Sequence, residues 1–121
     1  MRRDMDLVRE ILLFVEENIP DGEQVAVEIS GRSAAEVNYH IKLLHEAEFI
    51  EAIDTSSSDG DDWIVQRLTW KGHDFAEAAR SNVLWAKAKQ LIVEKGSALT
   101  VDAIFAALKI VAVAAFTAAA T

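Results

Sequence analysis

Residues 33–53, SAAEVNYHIKLLHEAEFIEAI, spell a helix start, a helix and a strand in unbroken succession. Ser33-Ala34-Ala35-Glu36 forms a capping box. The serine hydroxyl accepts from the Glu36 backbone N–H, and the glutamate side chain accepts from the Ser33 N–H. Val37, Ile41 and Leu44 follow at helical spacing and are expected to face a core, flanked by Ala34, His40 and Ala47. The other side carries Ala35, Asn38, Tyr39, Lys42 and Glu46. Phe49-Ile50-Glu51-Ala52-Ile53 then alternates as a strand.

Downstream, DTSSSDGDD (54–62) is a polar, turn-rich loop with Asp-Gly inside it, and Trp63 to Leu68 reads as the return strand of a β-hairpin. Thr69 can cap a helix from Trp70 to Arg80, whose Phe75, Ala76 and Ala79 face one way. Ser81 or Asn82 starts another helix through about Lys95. Leu84, Trp85, Ala88, Leu91 and Ile92 give it an apolar stripe, and Gly96-Ser97 ends it. Thr100 caps a last helix.

Upstream, residues 4–18 carry Leu7, Val8, Ile11, Leu12, Phe14 and Val15 on one broad face, with Asp4 and Asp6 favouring the N-terminal end. Pro20 stops that helix, and Leu13 falls on its polar side. Residues 24–29, QVAVEI, read as a short extended segment or strand. A helix-turn-helix would place a short helix near here, and the sequence does not provide one. The element order is nonetheless that of a winged helix-turn-helix. The expected fold is mainly α with a small β-hairpin: a winged-helix-like domain over 1–96 and a C-terminal apolar helix over 97–121 as an oligomerisation element.

The 121 residues fit one compact domain with a core, 51% of them being hydrophobic. With no cysteine, disulfides, thiolate metal sites and a cysteine nucleophile are excluded, and a reducing cytoplasm fits. Arg2 and Arg3 run directly into Asp4 and Asp6, not into the apolar run of a signal peptide. The net charge is −8. Residues 1–53 hold 5 basic and 12 acidic residues (net −7), residues 54–70 one and four (−3), and residues 71–121 six and four (+2). The acidity thus sits on the half that would meet DNA, where phosphate binders carry basic faces.

In the last helix Lys109 is the single charge after Ala103, and Ile104, Phe105, Leu108, Ile110, Val111, Val113 and Phe116 occur all round it. A helix apolar on every side needs cover on every side. Homodimer formation through Ile104, Phe105, Leu108, Val111 and Phe116, with Leu13 as a further contact, is the favoured reading. Burial within the monomer and membrane attachment are the others. The internal lysine, the weak apolarity of alanine and the missing basic flank speak against a membrane.

MRRDMDLVREILLFVEEN, SAAEVNYHIKLLHEAEFIEA and RLTWKGHDFAEAARSNVLWAKAK together resemble the uncharacterised bacterial and phage family catalogued as domain of unknown function 2513, over roughly residues 1–95. The resemblance implies a winged-helix-like domain, often associated with prophages or mobile elements, with no established activity and no catalytic residues to carry over. Winged-helix regulators more broadly turn into the wing through Ala-Gly-Leu-Ile. Here the turn is Ala47-Glu48-Phe49-Ile50, with Glu48 in the place of glycine. The tail after Ser97 falls outside the match.

The sequence holds near misses of catalytic motifs. His45-Glu46 opens like H-E-x-x-H, but position 49 is Phe. His40 reads as a hydrogen-bonded core imidazole. Asp59-Gly60-Asp61-Asp62 lacks the ligand spacing of a calcium loop and reads as a solvated acidic turn. Trp63, Trp70 and Trp85 read as core or cap residues. Neither an enzyme, a metal nor a cofactor is expected. Two functions remain. One is a protein-interaction or assembly module whose acidic half suits a basic partner. The alternative is a sequence-specific DNA-binding regulator that inserts helix 33–47 through Arg32, Ser33, Ala35, Asn38, Tyr39 and Lys42, against the electrostatics.

Overall fold

The computed structural model describes residues 1–20 and 23–120, the last for its backbone alone. The chain is mainly helical with one two-stranded sheet: α1 (Met5–Asn18), α2 (Ala34–Glu46), β1 (Ile50–Asp54), β2 (Trp63–Leu68), α3 (Trp70–Ala79), α4 (Asn82–Glu94) and α5 (Val101–Ala120). It divides into two compact units, one of residues 1–76 and one from Glu77 onward.

In the first unit, α1 buries Met5, Leu7, Val8, Ile11, Leu12 and Val15. Leu13 and Phe14 are half-buried. The expected extended segment is reduced to one bridge, in which the Val25 and Val65 N–H and C=O groups exchange bonds of 3.2 Å. The chain then turns through Gly31, at φ 79°, into α2. Both halves of the capping box at Ser33 form, and α2 buries Val37, His40, Ile41 and Leu44.

The end of α2 settles the Glu48 question. The Phe49 N–H donates to the Leu44 C=O at 3.0 Å and the Glu48 N–H to the His45 C=O at 3.1 Å, the two bonds of a Schellman turn. Glu48 itself takes the left-handed backbone, at φ 64°. A glycine would adopt that conformation without Cβ repulsion. Glu48→Gly is therefore expected to stabilise the chain by about 0.5–1 kcal/mol, after allowing for glycine's freer unfolded state. Urea denaturation measures it, and a loss of stability would contradict the geometry.

β1 and β2 pair antiparallel, with a bulge between Glu51 and Ala52. Their loop is tied by its own bonds: the Thr55 N–H donates to the Asp62 C=O at 2.9 Å, and Ser57 and Gly60 exchange bonds of 3.1 Å. β2 buries Trp63, Val65 and Leu68. At the start of α3 the Thr69 hydroxyl donates to the Glu48 C=O at 2.6 Å and accepts from the Gly72 N–H at 3.1 Å. The caps of α2 and α3 are thereby joined.

In the second unit, Ser81 caps α4, and a Schellman turn at Gly96 (φ 67°) closes it. α5 starts at the Thr100 cap and packs on α4. Ile104, Ala107 and Leu108 are buried, whereas Ile110, Val113 and Phe116 are 59%, 63% and 76% exposed. One expectation is corrected here. Ile104 and Leu108 point into the chain's own interior, so they are not available to a partner. Of the tryptophans read as core or cap residues, Trp63 and Trp85 are buried, and Trp70 is 84% exposed at the start of α3.

Candidate functional site

The candidate site is the polar face of α2 with the hairpin beside it, and most of its side chains are engaged within the chain. Arg32 forms ion pairs with Asp4 at 2.8 Å, Glu36 at 3.4 Å and Glu10 at 3.8 Å. Asp4 is the hub of this cluster. One carboxylate oxygen caps α1 by accepting from the Asp6 and Leu7 N–H groups at 2.9 and 3.3 Å, and the other accepts from Arg32. Its backbone N–H donates to His40 Nε2 at 2.8 Å. Because Nε2 accepts, the ring proton sits on Nδ1, which donates to the Glu36 C=O at 2.8 Å. His40 is thus the hydrogen-bonded core imidazole that its place beside the buried ridge suggested.

Partial burial pushes the Asp4 carboxyl up, but the Arg32 hydrogen bond, the capping N–H groups and the Arg32 charge outweigh it and hold the carboxyl below its ordinary value. A carboxyl depressed in the fold adds stability above its unfolded value, about 4, and that contribution is lost as pH falls through the lower folded value. Thermal melts of the parent from pH 6 to pH 2 should show this acid loss, and Asp4→Asn should lower the neutral-pH stability and weaken the acid dependence. An unchanged acid profile in the variant would place the depression elsewhere.

Asn38 is engaged too. Its amide nitrogen donates to the Asp61 C=O and its oxygen accepts from the Trp63 N–H, both at 3.2 Å, so the side chain pins the mouth of the hairpin to α2. Ser33 is occupied as the cap. Tyr39 is half-buried, with its ring edge-on to His40 at 5.7 Å. Ala35 and Lys42 are exposed. Lys42 lies close enough to Asp54 to help lower its carboxyl, behind the larger effect of the Ser56 hydroxyl and N–H. The hairpin loop holds Asp59, Asp61 and Asp62 in solvent. The structure thus brings Asn38 and Lys42 beside the acidic hairpin and turns Arg32 back toward α1.

Of the remaining interface candidates, Leu13, Phe105 and Val111 are half-buried and Phe116 is exposed. The cluster around Asp4 was not anticipated, since Arg32 and His40 lie 28 and 36 residues away. The exposed Trp70 was missed as well. The angular position of residue 70, away from Phe75 and Ala76 at 100° per residue, carries that signal.

A mainly α chain with one small hairpin, pinned to α2 through its backbone and carrying its carboxylates in solvent, is the class these features define. The chain belongs to the family described as "Hypothetical protein (DUF2513)", which it matches over residues 2–98. It is also 38% identical over 111 residues to an "Uncharacterized protein" of Haemophilus influenzae, an alignment covering 86% of this chain and 89% of that protein. The family match ends before α5 begins. No solved structure matches the chain.

Proposed function

We propose that the first unit is a winged-helix scaffold used as a protein-interaction module, and that α5 holds two copies of the chain together. The order α1, Val25 bridge, α2, β1, β2 supports the scaffold, with β2 lying between the Val25 segment and β1; the short helix that a helix-turn-helix places before α2 is absent between Glu23 and Ser33. One observation carries the choice of ligand. Arg32 and Asn38, the side chains with the chemistry to read DNA, are spent on Asp4 and on the hairpin backbone. The hairpin loop offers Asp59, Asp61 and Asp62 outward, and α2 adds Glu46 and one exposed cation, Lys42; the excess of carboxylate attracts a basic protein surface and repels phosphate.

Capture from an extract of the native source on the immobilised full-length chain tests this proposal. The expected catch is a protein with a basic surface, released by about 0.3 M salt as screening shortens the reach of the charges. It should be lost on combining Asp61→Lys with Asp62→Lys. A catch indifferent to both, or none, overturns the reading.

For α5 the supporting feature is its bare distal half. By length and composition it is the one helix among the described residues able to cross a membrane. Yet with Ile104, Ala107 and Leu108 held in the interior, the stretch from Lys109 to Ala119, exposed but for the half-buried Val111, extends only about 16 Å, against about 30 Å of hydrocarbon. A second copy of the same helix suits that length. The full-length chain is expected to run as a dimer in light scattering and the double variant Val113→Glu, Phe116→Glu as a folded monomer. A monomeric parent would refute the dimer.

A further inference from the structure

Within the reading of the first unit as an interaction module, we infer that the open edge of β1 receives an extended, basic segment of a partner protein as an added strand, anchored on Trp70. The sheet has two strands, and among the described residues only β2 lies beside β1. The direction of the unused backbone groups follows from the ladder. Phe49 and Thr55 bond toward Thr69 and Asp62 on the β2 side. By alternation Ile50, Ala52 and Asp54 turn their N–H and C=O groups outward. Val65, the partner of Ala52, agrees, because its own backbone groups turn away from β1 to Val25.

A groove at the start of β1 is lined by His45, Glu48, Ile50, Glu51, Thr69, Trp70 and Lys71. Trp70 is the most exposed large apolar residue described, and Ile53, further along β1, is 39% exposed. Exposed tryptophans beside a groove are the usual anchors of protein interfaces. Glu48 keeps a carboxylate in the groove despite its left-handed backbone, where glycine would suit the turn better.

Charge selects the occupant. Between residues 42 and 71 seven carboxylates face solvent against three cations, Lys42, Arg67 and Lys71. Arg67 is held by Glu51 through bonds of 2.9 and 2.7 Å, and Lys71 donates to the Ala47 C=O at 3.3 Å and lies 4.7 Å above the Phe49 ring. Glu51 is spent on Arg67 in turn, so six carboxylates stand against Lys42 and Lys71 and the stretch that flanks the edge keeps a net charge of −4; the fitting strand carries lysine or arginine on one face and an apolar side chain for Trp70 on the other. Strand addition supplies main-chain bonds, and the alternate side chains supply selectivity.

The test is selection of peptides on the full-length protein from a displayed random dodecamer library. Selected peptides should be basic with one aromatic or aliphatic anchor and should shift the amide resonances of Ile50–Asp54. They should lose binding when alternate peptide amides are N-methylated, a control that leaves the protein untouched. Trp70→Ala is expected to weaken them roughly tenfold. Ala52→Pro, which removes an outward N–H and none of the β1–β2 bonds, is expected to do the same. Glu48→Gly, expected to fold more stably, should also bind basic peptides less well. Basic peptides that bind but shift only Asp59–Asp62 and the α2 surface would overturn strand addition and leave the module reading standing. Failure to select any basic peptide would overturn both.

Discussion

Gly72→Ala is expected to destabilise the first unit by about 3 kcal/mol, the upper end of what overpacking costs. Helix propensity alone gives the opposite sign, since alanine is favoured over glycine by about 1 kcal/mol inside a helix. The reason is the approach of the chain at the head of α3. A Cβ on Gly72 would overlap the Phe49 carbonyl oxygen and lie 3.1 Å from the carbonyl carbon and 3.4 Å from the Leu68 Cβ. The obstructing atoms are backbone, and Phe49 is fixed on both sides. Its N–H donates to Leu44 and its C=O accepts from Thr69. No side-chain rotation relieves the contact, so α3 would have to move off the hairpin. Thermal unfolding followed by circular dichroism would show a fall of roughly 15 °C. An unchanged or raised midpoint would mean that α3 does not sit on Phe49.

Phe49→Ala is the second large effect, at about 4 kcal/mol. The ring is buried, stands edge-on to Phe75 at 5.7 Å with planes at 72°, and carries the Lys71 ammonium 4.7 Å from its centre. Truncation removes the buried ring, its aromatic pair and the seat of Lys71, and leaves a cavity that the tethered backbone cannot close. Marginal stabilities of 5–15 kcal/mol make such a loss a large fraction of the whole. Phe49→Leu keeps most of the volume and should cost less than about 1.5 kcal/mol. Urea denaturation of the two variants measures the difference, and equal losses would show that volume at this position does not matter.

Legibility in the sequence followed the range of the interaction. The capping box at Ser33 and the ridge of Val37, Ile41 and Leu44 are local, and each could be read from spacing within four residues. The hairpin was legible for the same reason, its alternating strands flanking an Asp-Gly turn. What spacing cannot show is a partner far along the chain. Arg32 looked like a DNA contact because its acceptor, Asp4, lies 28 residues earlier. Asn38 looked free because the groups it binds belong to a loop 23 and 25 residues later. Nothing within a few residues of Gly72 marks it as the position against which the Phe49 carbonyl lies. Residues 24–29 have strand composition, yet only Val25 bridges to a strand, so composition overstated the element. In α5 the all-round apolar pattern was legible, but which residues the chain itself consumes was not. Ile104 and Leu108 turned inward, and Ile110, Val113 and Phe116 outward.

The most direct measurement is a fluorescence-anisotropy titration of a labelled mixed-sequence duplex with the full-length chain at about 50 mM salt, where phosphate attraction is strong. With Arg32 held by Asp4 and Asn38 by the hairpin, no saturable rise is expected, and releasing the cation with Asp4→Asn should increase any residual binding. Saturable binding by the parent chain that falls with Asn38→Ala and Lys42→Ala would show that the face of α2 reads DNA after all, and would contradict an interaction module built on that face.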